Sequence, residues 1–170
     1  MKKKTVKYII AVLLIILFAA AGTGLWLHFR DRDKRLLREL VRELEDMSAK
    51  RQGRSNALAL LDAATPERVF AKEVEITSDH PEIKRTFKVK EIGQLMVTVK
   101  KSCTSAKLDF SIDTMTVNKD TAVITGNALF SGSSSRSGSF REARNVTLEC
   151  AKLNGKWKIT RLKASSIIRK

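Results

Sequence analysis

The feature that most constrains this chain is an uncharged run of 20 residues near its start. Residues 8–27 read YIIAVLLIILFAAAGTGLWL. As a helix rising about 1.5 Å per residue, this run would be about 30 Å long, the thickness of the hydrocarbon core of a bilayer. Tyr8 and Trp26 lie at its two ends, where amphipathic rings prefer the headgroup level. The sequence therefore predicts a transmembrane helix over residues 8–27.

The same run also fits a cleaved signal peptide, with Ala19 and Ala21 before a cut at Gly22. The apolar residues continue past that point through Leu27, so the run is long for a signal peptide, which favours an uncleaved anchor. Lysine and arginine counts do not favour either orientation, but a short MKKK tail before an apolar run is typical of bacterial export signals.

We therefore expect a single-pass protein of the bacterial cytoplasmic membrane, held in the lipid bilayer through residues 8–27. Residues 1–7 form a basic cytoplasmic tail, residues 28–35 a juxtamembrane segment, and residues 36–170 an extracytoplasmic domain. A domain of this length can bury one core of its own, but not two.

The charge balance is strongly basic. There are 33 Lys and Arg against 18 Asp and Glu, a formal charge of +15, and only four of these positive charges precede residue 8. Such a chain attracts polyanions, for example an anionic envelope component, although a solvated basic surface without a specific partner explains the charge equally well. The pairs Lys100-Lys101 and Arg169-Lys170 have no interleaved aromatic residues, so nucleic acid is an unlikely partner.

Metal and cofactor chemistry find no support in the sequence. The two cysteines, Cys103 and Cys150, form no CxxC motif, and His28 and His80 have no ligand pattern around them. We expect no metal and no cofactor. We also expect two separate buried thiols, with a disulfide as the alternative.

Hydrophobic periodicity predicts an α+β domain. Residues 31–52 and 88–101 read as helices, and a short helix follows Ser55. The helix over 31–52 carries an apolar stripe of Leu37, Leu40, Val41, Leu44 and Met47. The helix over 88–101 carries another, of Val89, Ile92, Leu95, Met96 and Val99. Val69-Phe70 and Val74-Glu75-Ile76-Thr77 predict a first strand. From residue 106 the period changes to two, with further strands over 122–130, 140–153 and 157–162, a polar loop over 131–139, and a two-residue hairpin turn at Asn154-Gly155.

Two motifs in this second half resemble the nuclear transport factor 2-like superfamily. Asp120-Thr121-Ala122-Val123-Ile124-Thr125-Gly126 resembles its D-x-A-x-V strand, and Leu148-Glu149-Cys150 followed by Leu153-Asn154-Gly155-Lys156-Trp157-Lys158-Ile159 resembles its closing hairpin. The resemblance covers roughly 36–165. It implies that the transmembrane helix predicted from residues 8–27 is followed by a cone, in which helices pack on a curved antiparallel sheet.

The resemblance leaves the activity open, because the superfamily includes enzymes, ligand carriers and non-catalytic scaffolds. Its isomerase-like members pair a carboxylate base with a tyrosine donor, whereas Tyr8 is the only tyrosine here and lies in the predicted membrane segment. We expect a non-catalytic, membrane-tethered binding or scaffold module that engages a protein partner or an envelope component. The alternative is a small-molecule-binding or enzymatic cone of the polyketide-cyclase or isomerase-like type.

Strict alternation along the strands predicts one candidate ligand site. It places Glu142, Arg144 and Arg161 on the same side as the core residues Leu148 and Ile159, and such a charged group could hold an anion at the mouth of the cone. Two alternatives remain open: the three residues lie at the rim beyond the helices, or a bulge changes the alternation. The opposite face of the sheet is predicted to be nearly all polar, so the domain on its own is expected to be a monomer or a weak dimer.

Overall fold

The computed structural model describes residues 31–50, 65–79, 81–135 and 138–167. The predicted transmembrane segment 8–27 and the short helix after Ser55 lie outside these residues. Within the described ranges, no helix is both long enough and apolar enough to cross a bilayer. The chain divides into two compact units, Met1–Arg35 and Leu36–Lys170, and the second unit contains all the described strands and most of the leading helix.

The leading helix, α1, covers residues 31–48. Its predicted apolar stripe is confirmed, because each of the five side chains is at most 6% exposed. The helix ends four residues before the predicted boundary. Its chain continues into an isolated backbone pairing of Lys50 with Ala106, while the Lys50 ammonium donates to the carbonyls of Lys100 and Cys103 at 2.7 and 2.6 Å. Lys50 thus occupies carbonyls at the end of the helix Val89–Ser102, and the last carbonyls of a helix lack partners within the helix itself.

A six-stranded sheet forms the other layer. In chain order, the elements after α1 are the short 3-10 helix η1 (Pro66–Arg68), β1 (Phe70–Asp79), β2 (Glu82–Lys88), α2 (Val89–Ser102), β3 (Ser105–Asn118), β4 (Thr121–Ser134), β5 (Gly138–Leu153) and β6 (Lys156–Ser166). The strand order in the sheet is β2-β1-β6-β5-β4-β3, and neighbouring strands are antiparallel except β1 and β6, which are parallel. The α+β class is confirmed, with helices packed on a curved sheet.

Three details differ from the sequence prediction. Strand β2 was not predicted, because its alternation of Ile83 and Phe87 with charged residues is weak. The polar stretch 131–139 is largely strand rather than loop, since β4 extends to Ser134 and β5 begins at Gly138. In α2, Leu95 and Val99 are 49% and 42% exposed, and the buried stripe instead includes Gly93 and Lys100.

Two of the three register shifts in the described sheet, one in β3 and one in β6, change which residues share a face. In β3 the pairing skips Asp113, between Ile112 and Thr114. In β6 it skips Thr160, because Glu149 pairs with Arg161 while Cys150 pairs with Ile159. An extra residue of this kind increases local twist and reverses the inward and outward alternation beyond it.

Both cysteines are free and buried, as expected. Cys150 pairs with Ala122, whereas Cys103 is two residues before Ser105, which pairs with Ser133. Positions 122 and 133 of β4 are about 36 Å apart along an extended strand, whereas a disulfide needs Cα atoms within about 7 Å. Cys103 and Cys150 are therefore too far apart to form a disulfide. Burial raises the pKa of the Cys150 thiol to about 12.

The direction of α1 follows from two contacts with β3 near its carboxyl end. Lys50, just after the helix, pairs with Ala106 near the start of β3. Five residues earlier, the Glu45 carboxylate accepts a hydrogen bond from the Phe110 amide at 2.6 Å, further along the same strand. Followed back from Lys50, α1 therefore runs towards the end of β3 at Asn118, where β3 turns into β4.

The two ends of the sheet differ in the turns they carry. One, the turn end, holds the β3–β4 turn at Lys119-Asp120 and the β5–β6 turn at Asn154-Gly155, which lie side by side because the Lys152 amide donates to the Asp120 carbonyl at 2.8 Å. Asn154 and Gly155 both have positive φ, which confirms the predicted hairpin turn. The other, the hairpin end, is where β4 ends and β5 begins.

Replacement of Gly126 tests the bend in the sheet. An added Cβ would lie 2.1 Å from the Ser111 carbonyl oxygen and 2.9 Å from the Phe110 ring. Gly126→Ala should therefore destabilise the domain by about 1–3 kcal/mol, although alanine in an unobstructed strand is usually the better residue. Urea unfolding measures the change. Val123→Ala, on the exposed face of the same strand, should cost less than about 0.5 kcal/mol, and equal stabilities for the two variants would contradict the close approach of β3.

Candidate functional site

Glu142 and Arg144 lie together on the concave face of the sheet, near the hairpin end. They are two residues apart on β5, so both point to the same side, opposite Phe130 and Ala128 of β4. The Arg144 Nε donates to Glu142 Oε1 at 2.9 Å, and the Arg144 Nη2 makes a second, shorter contact with the same oxygen. The sequence prediction that these two side chains share a face is confirmed by the strand register.

Two further residues complete this group, which we name the Arg144 cluster: Asp79, Glu142, Arg144 and Ser166. Arg144 Nη1 lies 3.3 Å from Asp79 Oδ1 and 3.0 Å from the Ser166 hydroxyl. The second Asp79 oxygen accepts a 2.7 Å hydrogen bond from the Ser166 amide. Asp79 ends β1 and Ser166 ends β6, so the cluster joins the last residues of two parallel strands to β5.

Arg161, the third predicted site residue, lies on the opposite face of the sheet. The bulge at Thr160 turns it outward, where it pairs with Glu149. Arg161 Nη1 donates to both Glu149 oxygens at 3.0 Å, and Arg161 Nε donates to Glu75 at 2.8 Å. Strict alternation, which placed Arg161 on the same face as Glu142 and Arg144, is therefore wrong for Arg161. The alternative left open in the sequence analysis is observed, because an inserted residue in β6 reverses the alternation. Arg161 instead bridges β1, β6 and β5 from outside.

The electrostatics of the Arg144 cluster follow from its hydrogen bonds. The Arg144 side chain is 16% exposed, whereas those of Asp79 and Glu142 are about half exposed. The hydrogen bond from the Ser166 amide, with a smaller contribution from the Arg144 guanidinium, lowers the pKa of Asp79 below its ordinary value of 3.8. One guanidinium therefore contacts two carboxylates. Because both carboxylates already face Arg144, the cluster is an internal ion-pair group rather than a site for an anion.

The described residues nearby supply little for catalysis. The concave face next to the cluster is lined by partly buried apolar side chains, including Phe110, Ile112, Leu162 and Ala164. Across residues 31–50, 65–79, 81–135 and 138–167, no three His, Cys, Asp or Glu side chains come together as a metal site would require. Tyr8 and His80, the residues weighed for superfamily chemistry, lie outside the described residues.

A separate groove of about 490 Å³ lies between η1 and α2. Its charged residues are Glu67 and Lys90, and its Thr98 hydroxyl donates to the Gln94 carbonyl of its own helix. This arrangement offers neither a nucleophile paired with a base nor a group of convergent donors. The complete lining is Pro66, Glu67, Lys90, Gly93, Gln94, Val97 and Thr98.

Comparison with solved structures shows the fold. The chain is similar to the Kfla4162 protein from Kribbella flavida, with a TM-score of 0.67 and 13% identity over 82% of this chain and 94% of the other. It is also similar to a nuclear transport factor 2-like protein with a cystatin-like fold from Novosphingobium aromaticivorans, with a TM-score of 0.66 and 15% identity over 87% and 91% of the two chains. A nuclear transport factor 2-like protein of unknown function from Shewanella oneidensis matches with a TM-score of 0.57 and 14% identity over 79% and 99%.

These likenesses define a class at the level of architecture. The domain has the α+β cone of nuclear transport factor 2-like proteins, as the sequence resemblance implied. No protein-family model and no curated protein sequence matches this chain. Identities of 13–15% transfer no activity, so function has to be argued from the residues themselves.

Sequence reasoning identified Glu142 and Arg144 but missed Asp79 and Ser166. Both missed residues join the cluster only through the parallel pairing of β1 with β6, which links positions 87 residues apart. The local sequence contains one signal, which is the acidic residue Asp79 in the Asp79-His80-Pro81 turn after a predicted strand. This signal does not show that Asp79 contacts Ser166 and Arg144.

The Asp79 carboxylate should report its hydrogen bond in an acid titration. Because its folded-state pKa is lowered, its contribution to stability is present above pH 3.8 and is lost as the pH falls through the lowered value. The Ser166 amide proton, followed by NMR, should therefore shift with a midpoint below 3.8. Asp79→Asn should abolish this transition, whereas Glu82→Gln, at the paired position on β2, should leave it in place. A midpoint at or above 3.8 would contradict the hydrogen bond.

Proposed function

We propose that this protein is a non-catalytic binding module, tethered to the bacterial cytoplasmic membrane by residues 8–27, with its domain on the extracytoplasmic side. Through its surface it engages a protein partner or an envelope component.

One observation carries the non-catalytic part of this proposal. The charged side chains on the concave face pair with one another, since both Glu142 and Asp79 contact the Arg144 guanidinium. A catalytic carboxylate is usually held near its working protonation state by burial or by a neighbouring like charge. Asp79 shows the opposite tendency, because its pKa is lowered and its oxygens are occupied by Ser166 and Arg144.

The tether is supported by the spacing between the apolar run and the domain. The run ends at Leu27 and α1 is already helical at residue 31. The domain is therefore confined to within a few nanometres of whatever holds residues 8–27. Such confinement raises the effective concentration of a weak binding module towards partners in the same membrane.

The outer face of the sheet supports surface binding without strong self-association. On β4 and β5 it presents Val123, Thr125, Asn127, Asn145 and Thr147, of which Val123 is the large apolar residue at 40% exposure. A permanent homodimer usually buries a much more apolar patch. We accordingly propose that the domain alone is a monomer or a weak dimer. Its strong partner is then another protein or an anionic envelope component.

A small-molecule-binding cone is the second candidate, because aromatic rings lie beside the Arg144 cluster. Phe130 is directly opposite Glu142, and its ring centroid lies 5.2 Å from that of Phe140. Both rings are partly exposed. Half-buried aromatic rings next to a few polar groups are typical of ligand pockets.

Site-specific photo-crosslinking in cells separates the two candidates. A benzophenone amino acid is placed either at Val123, on the outer face, or at Phe130, on the concave face. After illumination, membranes are washed with alkaline carbonate and the pellet is analysed. The binding module predicts that the chain stays in the pellet and forms a discrete protein adduct from position 123, with little from position 130.

The Phe130 variant is the matched control, because it carries the same reactive group on the same strand. A soluble chain starting near Gly22 would show that residues 8–27 are a cleaved signal instead of a tether. Absence of protein adducts at both positions, together with a retained small molecule in native mass spectrometry, would favour the ligand-binding cone.

A further inference from the structure

The turn end of the sheet concentrates positive charge. Over residues 118–121 and 152–156, which form the two turns and their flanks, the charged residues are Lys119, Lys152 and Lys156 against the single acid Asp120. The turns are adjacent, because Thr121 pairs with Ala151 and the Lys152 amide donates to the Asp120 carbonyl. Three lysines are thereby brought to one end of the domain from separate parts of the chain.

A large apolar side chain projects among these lysines. Leu153 is 45% exposed at the last position of β5, immediately before the Asn154-Gly155 turn. Lys158, a little further along β6, has its pKa lowered by partial burial and, next in importance, by the charge of Lys156. Lysines around an exposed leucine form the combination that binds anionic lipid surfaces, through charge at the headgroups and apolar burial just beneath them.

The hairpin end has a different character. In the Arg144 cluster one guanidinium contacts two carboxylates, Lys107 lies 2.6 Å from Asp109 on β3, and Arg141 is exposed on β5. The described tip of the β4–β5 hairpin consists of small polar residues, including Ser133, Ser134 and Ser135. Basic residues at this end therefore lie beside acidic or small polar ones, whereas at the turn end they flank an exposed leucine.

Followed back towards its amino terminus, α1 leads to the turn end of the domain. Its contacts with β3 move from Ala106, at Lys50, to Phe110, at Glu45, which is towards the β3–β4 turn. Leu36, the first residue of the compact unit, lies nine residues before Glu45, about 13 Å further along a helix. The apolar run ends at Leu27, and nine residues of chain can span at most about 30 Å.

From these observations we propose that the turn end is a lipid-docking surface, formed by Lys119, Lys152, Lys156 and Leu153, that rests on the anionic headgroups of the membrane holding residues 8–27. The occupant is an anionic phospholipid surface, such as one containing phosphatidylglycerol. Docking directs the hairpin end and the Arg144 cluster away from the bilayer. This inference rests on the proposed membrane tether, and its test separates the two.

The test uses the full-length chain with a polarity-sensitive fluorophore on a cysteine at position 153. Leu153→Cys is reactive in the folded protein, whereas Cys103 and Cys150 are buried, and the chain without this substitution gives the background. The protein is reconstituted into vesicles of phosphatidylcholine alone or with about 30% phosphatidylglycerol, a composition that belongs to the design of the assay. Docking predicts a blue-shifted emission only in the anionic vesicles, reversed by high salt because the attraction is screened.

Charge reversal and a second label position provide the controls. Each lysine near an anionic surface contributes about fivefold, so Lys119→Glu with Lys156→Glu should shift the equilibrium away from docking by about 25-fold or more. Lys84→Glu with Lys101→Glu makes the same change in net charge at exposed positions outside the turns and should retain the blue shift. A label on Ser135→Cys, at the hairpin end, should not respond to lipid charge.

Flotation after a carbonate wash reports the tether separately. A chain that floats with both kinds of vesicle, with the same emission from position 153 in each, would overturn docking and leave the tether in place. A chain that is washed from neutral vesicles, but shows the salt-sensitive shift on anionic ones, would overturn the tether and support the docking surface. A lipid response at position 135 in place of 153 would show that the opposite end faces the membrane and would overturn the proposal.

Discussion

The apolar stripe of α1 has to be covered by a single sheet, and this requirement shapes most of the domain. Leu37, Leu40 and Leu44 are at most 6% exposed, and β4, β5 and β6 contribute Ile124, Leu148 and Ile159, which are fully buried. A flat sheet would touch such a helix along one line only. Burying the stripe therefore requires a sheet that curves around it, and close packing of this kind leaves little tolerance for altered side-chain volume.

The curvature depends on residues that interrupt regular pairing. Asp113 and Thr160 are each left out of the strand register, and Gly126 lets the backbone of β3 approach β4 where a side chain would collide with the Ser111 carbonyl. The Thr160 hydroxyl donates to the Glu149 carbonyl at 3.1 Å, so the inserted residue does not leave its own side chain without a partner. These features bend the sheet, and they also decide which face each later side chain occupies.

This coupling explains how far the sequence could predict the fold and the site. The α1 stripe, the alternation of Ile124 with Val123, and the Asn154-Gly155 turn are local patterns, and each was read correctly. The face of Arg161 was read incorrectly, because one inserted residue in β6 reverses the alternation and nothing in the local sequence marks Thr160 as that residue. Asp79 and Ser166 could not be assigned to the Arg144 cluster at all, since parallel pairing of β1 and β6 is a property of the whole sheet. Local sequence patterns therefore do not predict long-range strand pairing or the positions of bulges.

The placement of charge at the two ends of the sheet has a physical consequence for function. At the hairpin end, Arg144 is mostly buried, and breaking both of its carboxylate contacts would leave its charge without compensation in a poorly hydrated place. A ligand can recruit Arg144 only by displacing Glu142 or Asp79, so the affinity of this site for an outside anion is reduced by the strength of its internal pairs. At the turn end, Lys119 and Lys156 are exposed, and an anionic surface would compensate their charge without displacing an internal partner of the Arg144 kind. The cone therefore directs its unbalanced charge outward at one end and keeps the charge on its concave face compensated, an arrangement better suited to surface recognition than to chemistry inside the cone.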